Sequence, residues 1–315
     1  MINILLPFFF IIASGVVFRW LKPGGLDADK IRLSINTTVF NLFLPALCVK
    51  VFTTADLGAE TFAIPLAAWL TLFVMIAVNY LLFTKVFKRE QLDGKSVGAL
   101  IIAATMGNVT YLGLPFLTGL YGQKAAQYAL YYDLLATTPF LWLVGVRFGA
   151  HFGTGKKISI RESLIKLAYL PPLWGIALGI IVNVSGMTVP VYILKALEMM
   201  AGVVVPLMTF SVGLSLTFSH LKKLNLIAVV VVMKLLVSPF VSLFAGRIFG
   251  LSDTALYGTF LEGGMPTMVL SLLIAVEFGL DVPLAALCIV VTTICSFVTL
   301  PLLVYLTGFL NTLPF

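Results

Sequence analysis

The sequence predicts an all-α membrane protein of ten transmembrane helices, arranged as two inverted five-helix repeats. Three observations carry that expectation. Of 315 residues, 60% are hydrophobic and only 10% charged, with a mean hydropathy of +1.09. Water-soluble domains run at roughly 45–50% apolar and about 25% charged, so this chain needs lipid around it. Its apolar residues gather into ten runs of about 20 residues, the length that crosses a bilayer as a helix. Gly-Xxx-Pro interrupts one run in each half of the chain, as Gly113-Leu114-Pro115 and Gly264-Met265-Pro266.

In order, the ten segments cover residues 2–20, 32–52, 63–84, 96–122, 126–149, 164–184, 189–217, 223–247, 254–278 and 282–308. Segment 1 could pass for a signal peptide, but Arg19 and Lys22 follow its apolar run rather than precede it. It reads as a retained helix. Cys48, Cys288 and Cys295 all fall inside apolar segments, where cysteine behaves as a small hydrophobe and no disulfide framework is indicated.

Orientation follows from the basic residues. With the N-terminus outside, the cytoplasmic loops hold Arg19, Lys22, Lys30 and Arg32, then Lys85, Lys88, Arg89 and Lys95. They also hold Arg147, Lys156, Lys157, Arg161 and Lys166, and finally Lys222 and Lys223. The external loops carry Asp56, Glu60 and Asp253. Both termini are then external, and residues 151–163 form a cytoplasmic linker between repeats at 1–150 and 164–315. Five helices per repeat force the halves to opposite orientation. Matching prolines support the duplication. Pro7 and Gly15 share the spacing of Pro171 and Gly179, and Phe43-Leu44-Pro45 matches Val204-Val205-Pro206. Pro139 and Pro301 sit late in segments 5 and 10.

The two interruptions carry the expected chemistry. Proline favours the first turn of a helix, so Pro115 and Pro266 should begin half-helices whose free N–H groups and positive dipole ends converge on an anion. Such a site needs no lysine or arginine. Asn108, Thr110, Tyr111, Gly113 and Thr267 would surround it, with Asn41 of segment 2 as a further contact. The competing reading is that these prolines only kink helices for packing. Glu262, with Gly263 and Gly264, ends the half-helix before the second break, where carbonyls and a carboxylate suit sodium or a proton. Its alternative is a salt bridge to Lys234. Asp133 either shares that cation site or orders the crossing from behind. Lys195 and Glu198 have the spacing of an ion pair on one helix face, and Lys50 is placed to snorkel outward.

The pattern Asn108-x-x-Tyr111-Leu112-Gly113-x-Pro115, with Pro266 in segment 9, resembles the auxin efflux carrier family, whose bacterial members include malate and malonate carriers. The resemblance covers essentially the whole chain. It implies a fold shared with bile-acid sodium symporters. Segments 1, 2, 6 and 7 would form a panel, and segments 3–5 and 8–10 a core moving as an elevator. It further implies broken segments 4 and 9 crossing at the midplane and a homodimer paired through the panel. Glu262-Gly263-Gly264-Met265 departs from the auxin-carrier pattern. It is more similar to the bile-acid symporter stretch, in which the glutamate helps bind sodium.

An enzyme is not expected. His151 and His220 lie far apart, and zinc-protease and P-loop motifs are missing from the sequence. The net charge of +7 sets orientation rather than marking a nucleic-acid surface. The expected protein is a multi-pass cell-membrane secondary transporter of a small mono- or dicarboxylate, working by alternating access. It would be coupled to sodium, held at Glu262, or to protons, with no other cofactor. Alternatives are a sodium symporter of a bulkier amphipathic anion, an anion channel, or a sensor, for which the linker is too short.

Overall fold

The computed structural model describes residues 2–55, 57–87, 92–154, 159–216 and 224–310. Asp56, Lys88, Arg89, Lys156, Lys157, His220, Lys222 and Lys223, to which the sequence reading assigned loop positions, lie outside that set. The described chain is helical, with no strand among the described residues. Among the described residues, thirteen helices of seven residues or more follow one another: α1 Ile2–Leu21, α2 Ala28–Thr53, α3 Glu60–Lys85, α4 Gly94–Thr105, α5 Val109–Tyr121, α6 Gln123–Phe152 and α7 Ile160–Ala168. Then come α8 Pro171–Ser185, α9 Val191–Ser215, α10 Leu224–Ile248, α11 Asp253–Gly263, α12 Ser271–Glu277 and α13 Val282–Leu310.

Six of these (α2, α3, α6, α9, α10 and α13) are each long and apolar enough to cross a membrane, and the bent pair α7–α8 makes a seventh candidate. The other apolar segments are shorter or broken. Their ends are built from familiar parts. Asp27 caps α2 by accepting from the N–H groups of Asp29 and Lys30, and Asp93 caps α4 through the N–H of Ser96. Gly186 ends α8 in the left-handed conformation, at φ 65°.

Proline does not break these helices where the sequence suggested. In α2, α5, α6 and α10 a π-helical turn stands just before an Xxx-Pro pair: Val39–Phe43 before Pro45, Val109–Gly113 before Pro115, Asp133–Thr137 before Pro139, and Met233–Val237 before Pro239. A proline ring clashes with the carbonyl four residues back, and widening the turn moves that carbonyl aside. The residue before proline then donates five residues back, as Thr138 does to Asp133 and Ser238 to Met233. At Pro139 the displaced carbonyl, that of Leu135, accepts from the Trp69 indole at 3.0 Å. Gly113-Leu114-Pro115 therefore widens a helix instead of interrupting it, and Pro115 does not start one.

The chain divides into two compact units. The first comprises Met1–Gly58, Thr110–Leu130 and Ile165–Leu216. Within it α1 packs on α9, and α8 packs on α2, at glycines that leave no room for a side chain. A Cβ on Gly213 would collide with the Ile12 carbonyl, and one on Gly15 with that of Phe210. One on Gly175 would sit 2.6 Å from the Pro45 carbonyl, and one on Gly179 2.7 Å from the Phe52 Cβ. Small residues at such crossings let backbones approach and gain dispersion contact in lipid. Polar ties finish the unit. Arg19 forks onto Asp29 at 2.9 and 3.0 Å and donates to the Leu214 carbonyl at the end of α9. The Asn183 amide donates to the carbonyls of Phe52 and Ala55 at the end of α2.

Two local expectations are corrected here. Glu198 does not pair with Lys195; it meets Lys50 of α2 at 3.3 Å, and Lys50 does not snorkel away. A cross-helix partner beats a neighbour three residues away because α2 and α9 pack together. The pair lines a cavity of about 640 Å³ within this unit, walled also by Thr118, Gln123, Lys124 and Gln127.

The second unit comprises Ala59–Val109, Tyr131–Leu164 and Thr217–Phe315. Its core gathers Leu72, Met75, Leu100, Ile101, Phe140, Ile227, Phe278 and Cys288 around α4, which is buried along nearly its whole length. α10, α11 and α3 pack mutually beside it.

Gly213→Ala should lower stability by about 1–3 kcal/mol through overpacking. Gly202→Ala, in the same helix with nothing within 4 Å of its added methyl, should be neutral or stabilising. Thermal unfolding of the two detergent-solubilised variants checks both.

Candidate functional site

Both expected broken segments are broken in the second unit, at places set by backbone pairing. α4 stops at Thr105 and α5 starts at Val109, leaving Met106–Asn108 extended. α11 stops at Gly263 and α12 starts at Ser271. The two gaps run antiparallel, with a bridge between Gly107 and Thr267. Asn108 N–H donates to the Pro266 carbonyl at 2.7 Å, and Met268 N–H to the Met106 carbonyl at 2.9 Å. Asn108, Thr267, Met106 and Met268 are all buried, so an unwound backbone here survives only by such mutual satisfaction. Pro266 needs no acceptor because it has no N–H. Thr267 completes the joint: its N–H donates to Thr292 Oγ1 at 3.1 Å and its hydroxyl to the Ala103 carbonyl at 2.8 Å.

The anion site expected from free N–H groups at half-helix starts is not formed by these donors. Pro266 lies five residues before α12 begins. The first N–H groups of α12, those of Ser271, Leu272 and Leu273, donate to Met268, Val269 and Leu270 in tight local turns. What the crossing leaves unsatisfied is side chain. Nδ2 of Asn108 and both carboxylate oxygens of Glu262 are buried without a hydrogen-bond partner, and so is the Ser271 hydroxyl. Buried polar atoms without partners are rare enough in proteins that each calls for an explanation.

A lysine stands beside the two breaks, although the anion site expected from the sequence needed none. Lys234, in the wide turn of α10, is 2% exposed. Its Nζ donates to the Gly263 carbonyl at 2.7 Å and to Ser238 Oγ at 3.3 Å. It also lies against Gly107, where an added Cβ would come within 3.2 Å of it. The salt bridge to Glu262 weighed from the sequence is not what the amine makes; it binds the next residue's carbonyl instead. Lys234 and Asp133 both lie within electrostatic range of Glu262. Asp133 accepts from Thr138 Oγ1 at 3.1 Å. Next to it, Tyr132 reaches Ser242 Oγ at 3.4 Å, and Ser242 donates to the Thr259 carbonyl of α11. An ionised side chain at bilayer depth costs about 2.5–3.5 kcal/mol on insertion scales. Three ionisable side chains in one buried cluster mark this as the candidate site.

The structure thus brings together Asn108, Pro266, Thr267, Glu262, Gly263 and Gly264, with Asp133 in the same unit. Thr110, Tyr111, Gly113 and Pro115 continue α5 into the first unit. Asn41 also belongs to the first unit; its exposed side chain donates to the Thr37 carbonyl one turn back. Lys234 is the residue that sequence reasoning undervalued. The signal was a cation in the middle of a strongly apolar 25-residue helix, away from the Arg247 at its end.

A sequence profile of the family described as "Membrane transport protein" matches residues 1–304. An uncharacterized transporter of Methanothermobacter thermautotrophicus is 31% identical over 286 residues, spanning 90% of this chain and 91% of the relative. Another, of Methanocaldococcus jannaschii, is 26% identical over 288 residues, spanning 89% and 91%. Paired helix breaks with buried charge between them, in a chain of apolar helices, agree with those matches. This chain belongs to the membrane transport protein family, of the auxin efflux carrier type.

Proposed function

We propose that the protein is a secondary transporter of a small organic anion, a mono- or dicarboxylate of the malate or malonate kind, working by alternating access in the cell membrane. The observation that carries this reading is the joint of the two chain breaks, with an unpartnered Asn108 amide and a buried Lys234 amine beside it. Those donors suit a carboxylate; Thr267 lies in the joint itself, and Thr110 and Tyr111 follow Asn108 by two and three residues. Glu262, with Asp133 nearby, is the group through which a cation, sodium or proton, couples to the anion.

Inverted repeats are supported by the first unit. Segment 1 packs on segment 7, and segment 6 on segment 2, the exchange that an inverted duplication requires. Gly15 and Gly179, which share the spacing noted from Pro7 and Pro171, are each a crossing point. Ten segments with both termini outside, an elevator-like movement of the core and a homodimer complete the proposal. A bulkier amphipathic anion is the second reading. The 640 Å³ cavity favours it, since apolar Leu47, Val51 and Leu114 line it together with Lys50 and Lys124.

In proteoliposomes, uptake of labelled carboxylates should saturate, as a carrier's does and a channel's does not. Asn108→Ala should weaken apparent affinity about tenfold to a hundredfold, the loss expected for a hydrogen bond to a charged group. Wild-type affinity would remove Asn108 from the site. Glu262→Gln should abolish the response to imposed sodium or proton gradients while leaving anion exchange measurable. For topology, a Lys157→Cys variant should react with an impermeant thiol reagent only from the cytoplasmic side; labelling from outside would reverse the assigned orientation.

A further inference from the structure

The end of α11 has the makings of a cation site. A helix C-terminus presents carbonyl oxygens and the negative end of its dipole. Here the Glu262 carboxylate adds two oxygens without hydrogen-bond partners, and the Ser238 hydroxyl shares the Lys234 amine with the Gly263 carbonyl. A hard cation binds by gathering several such oxygens at once. In this protein one of those carbonyl oxygens is already taken. Lys234 Nζ lies 2.7 Å from the Gly263 carbonyl and 3.3 Å from Ser238 Oγ. Gly107 keeps the far side of the amine clear, because any larger residue would press a Cβ against it.

We infer that the Lys234 amine, held on the Gly263 carbonyl and the Ser238 hydroxyl, takes oxygens that a sodium ion beside Glu262 would need, so that the carrier neither binds nor uses sodium. This rests on the transporter reading above for its meaning in transport, but not for its geometry. Two effects exclude sodium. The Gly263 carbonyl cannot serve a metal ion and an N–H donor with the same lone-pair direction, and a positive charge within a few ångströms repels a second one in a medium of low dielectric. Lys234 is thus a specificity-determining residue. It separates this chain from what its Glu262-Gly263-Gly264 sequence alone suggests. Removing the amine while keeping the oxygens converts the place into a sodium site.

The test is sodium binding, read as thermal unfolding of the purified full-length protein in detergent. Sodium chloride is titrated against choline chloride at constant ionic strength. Wild-type protein should show no sodium-specific shift. Lys234→Ala, or Lys234→Met should the alanine variant fail to fold, should gain an upward shift that grows with sodium and saturates. Adding Glu262→Gln to that variant should erase it. A saturable sodium shift in the wild type overturns the inference whatever the variants do, and so does a folded Lys234 variant that stays indifferent to sodium. If neither variant folds, radioactive sodium uptake by wild-type proteoliposomes decides: uptake with carboxylate overturns the inference, and carboxylate uptake with no sodium accompanying it upholds it. Absence of any carboxylate transport would instead count against the proposed function, and the binding measurement would stand apart from it.

Discussion

Backbone polarity in an apolar interior is the constraint on which this structure depends. Residues 106–108 and 264–270 leave the helical ladder where burial is nearly complete, so the lost bonds must be replaced from within the protein. Each gap is tolerable only because the other supplies acceptors and donors in register, through Asn108 to Pro266 and Met268 to Met106. Once those bonds exist, the ends of α4, α5 and α11 are held together. The side chains of Asn108, in the joint, and of Lys234 and Glu262, beside it, are placed by that framework, and Lys234 is also fixed by hydrogen bonds to the Gly263 carbonyl and the Ser238 hydroxyl.

Much of this was legible in the sequence. Composition and run length alone dictate a helical membrane protein, because no other spanning arrangement of so many apolar 20-residue stretches satisfies the backbone. The second break was legible at Gly264-Met265-Pro266, and the involvement of Asn108 and Glu262 followed from the expense of burying them. The first break was misplaced by some seven residues. Proline at 115 has a local remedy, a wider turn, and takes it. The chain opens instead at Gly107, where the partner strand and the Lys234 amine need space.

What the sequence could not disclose is tertiary choice. Lys195 and Glu198 share a helix face, yet Glu198 turns to Lys50, distant in the chain and adjacent in space. Lys234 and Glu262 are opposite charges on neighbouring helices, yet the amine prefers a backbone carbonyl one residue away from the carboxylate. Spacing rules describe a helix in isolation. In a packed bundle the nearest acceptor of good geometry wins, and only coordinates reveal which one that is.

The widened turns have a consequence for kinship. Each holds one residue more than a regular helix of the same rise, so removing a single residue from Val39–Phe43 or Met233–Val237 would restore ordinary winding while keeping both flanking faces in phase. Elsewhere in these helices, a deletion rotates everything downstream by about 100°, the angle set by 3.6 residues per turn. Single-residue length differences between relatives should therefore concentrate at these turns, and an alignment that forces gaps into loops instead would set Lys234 opposite the wrong residue.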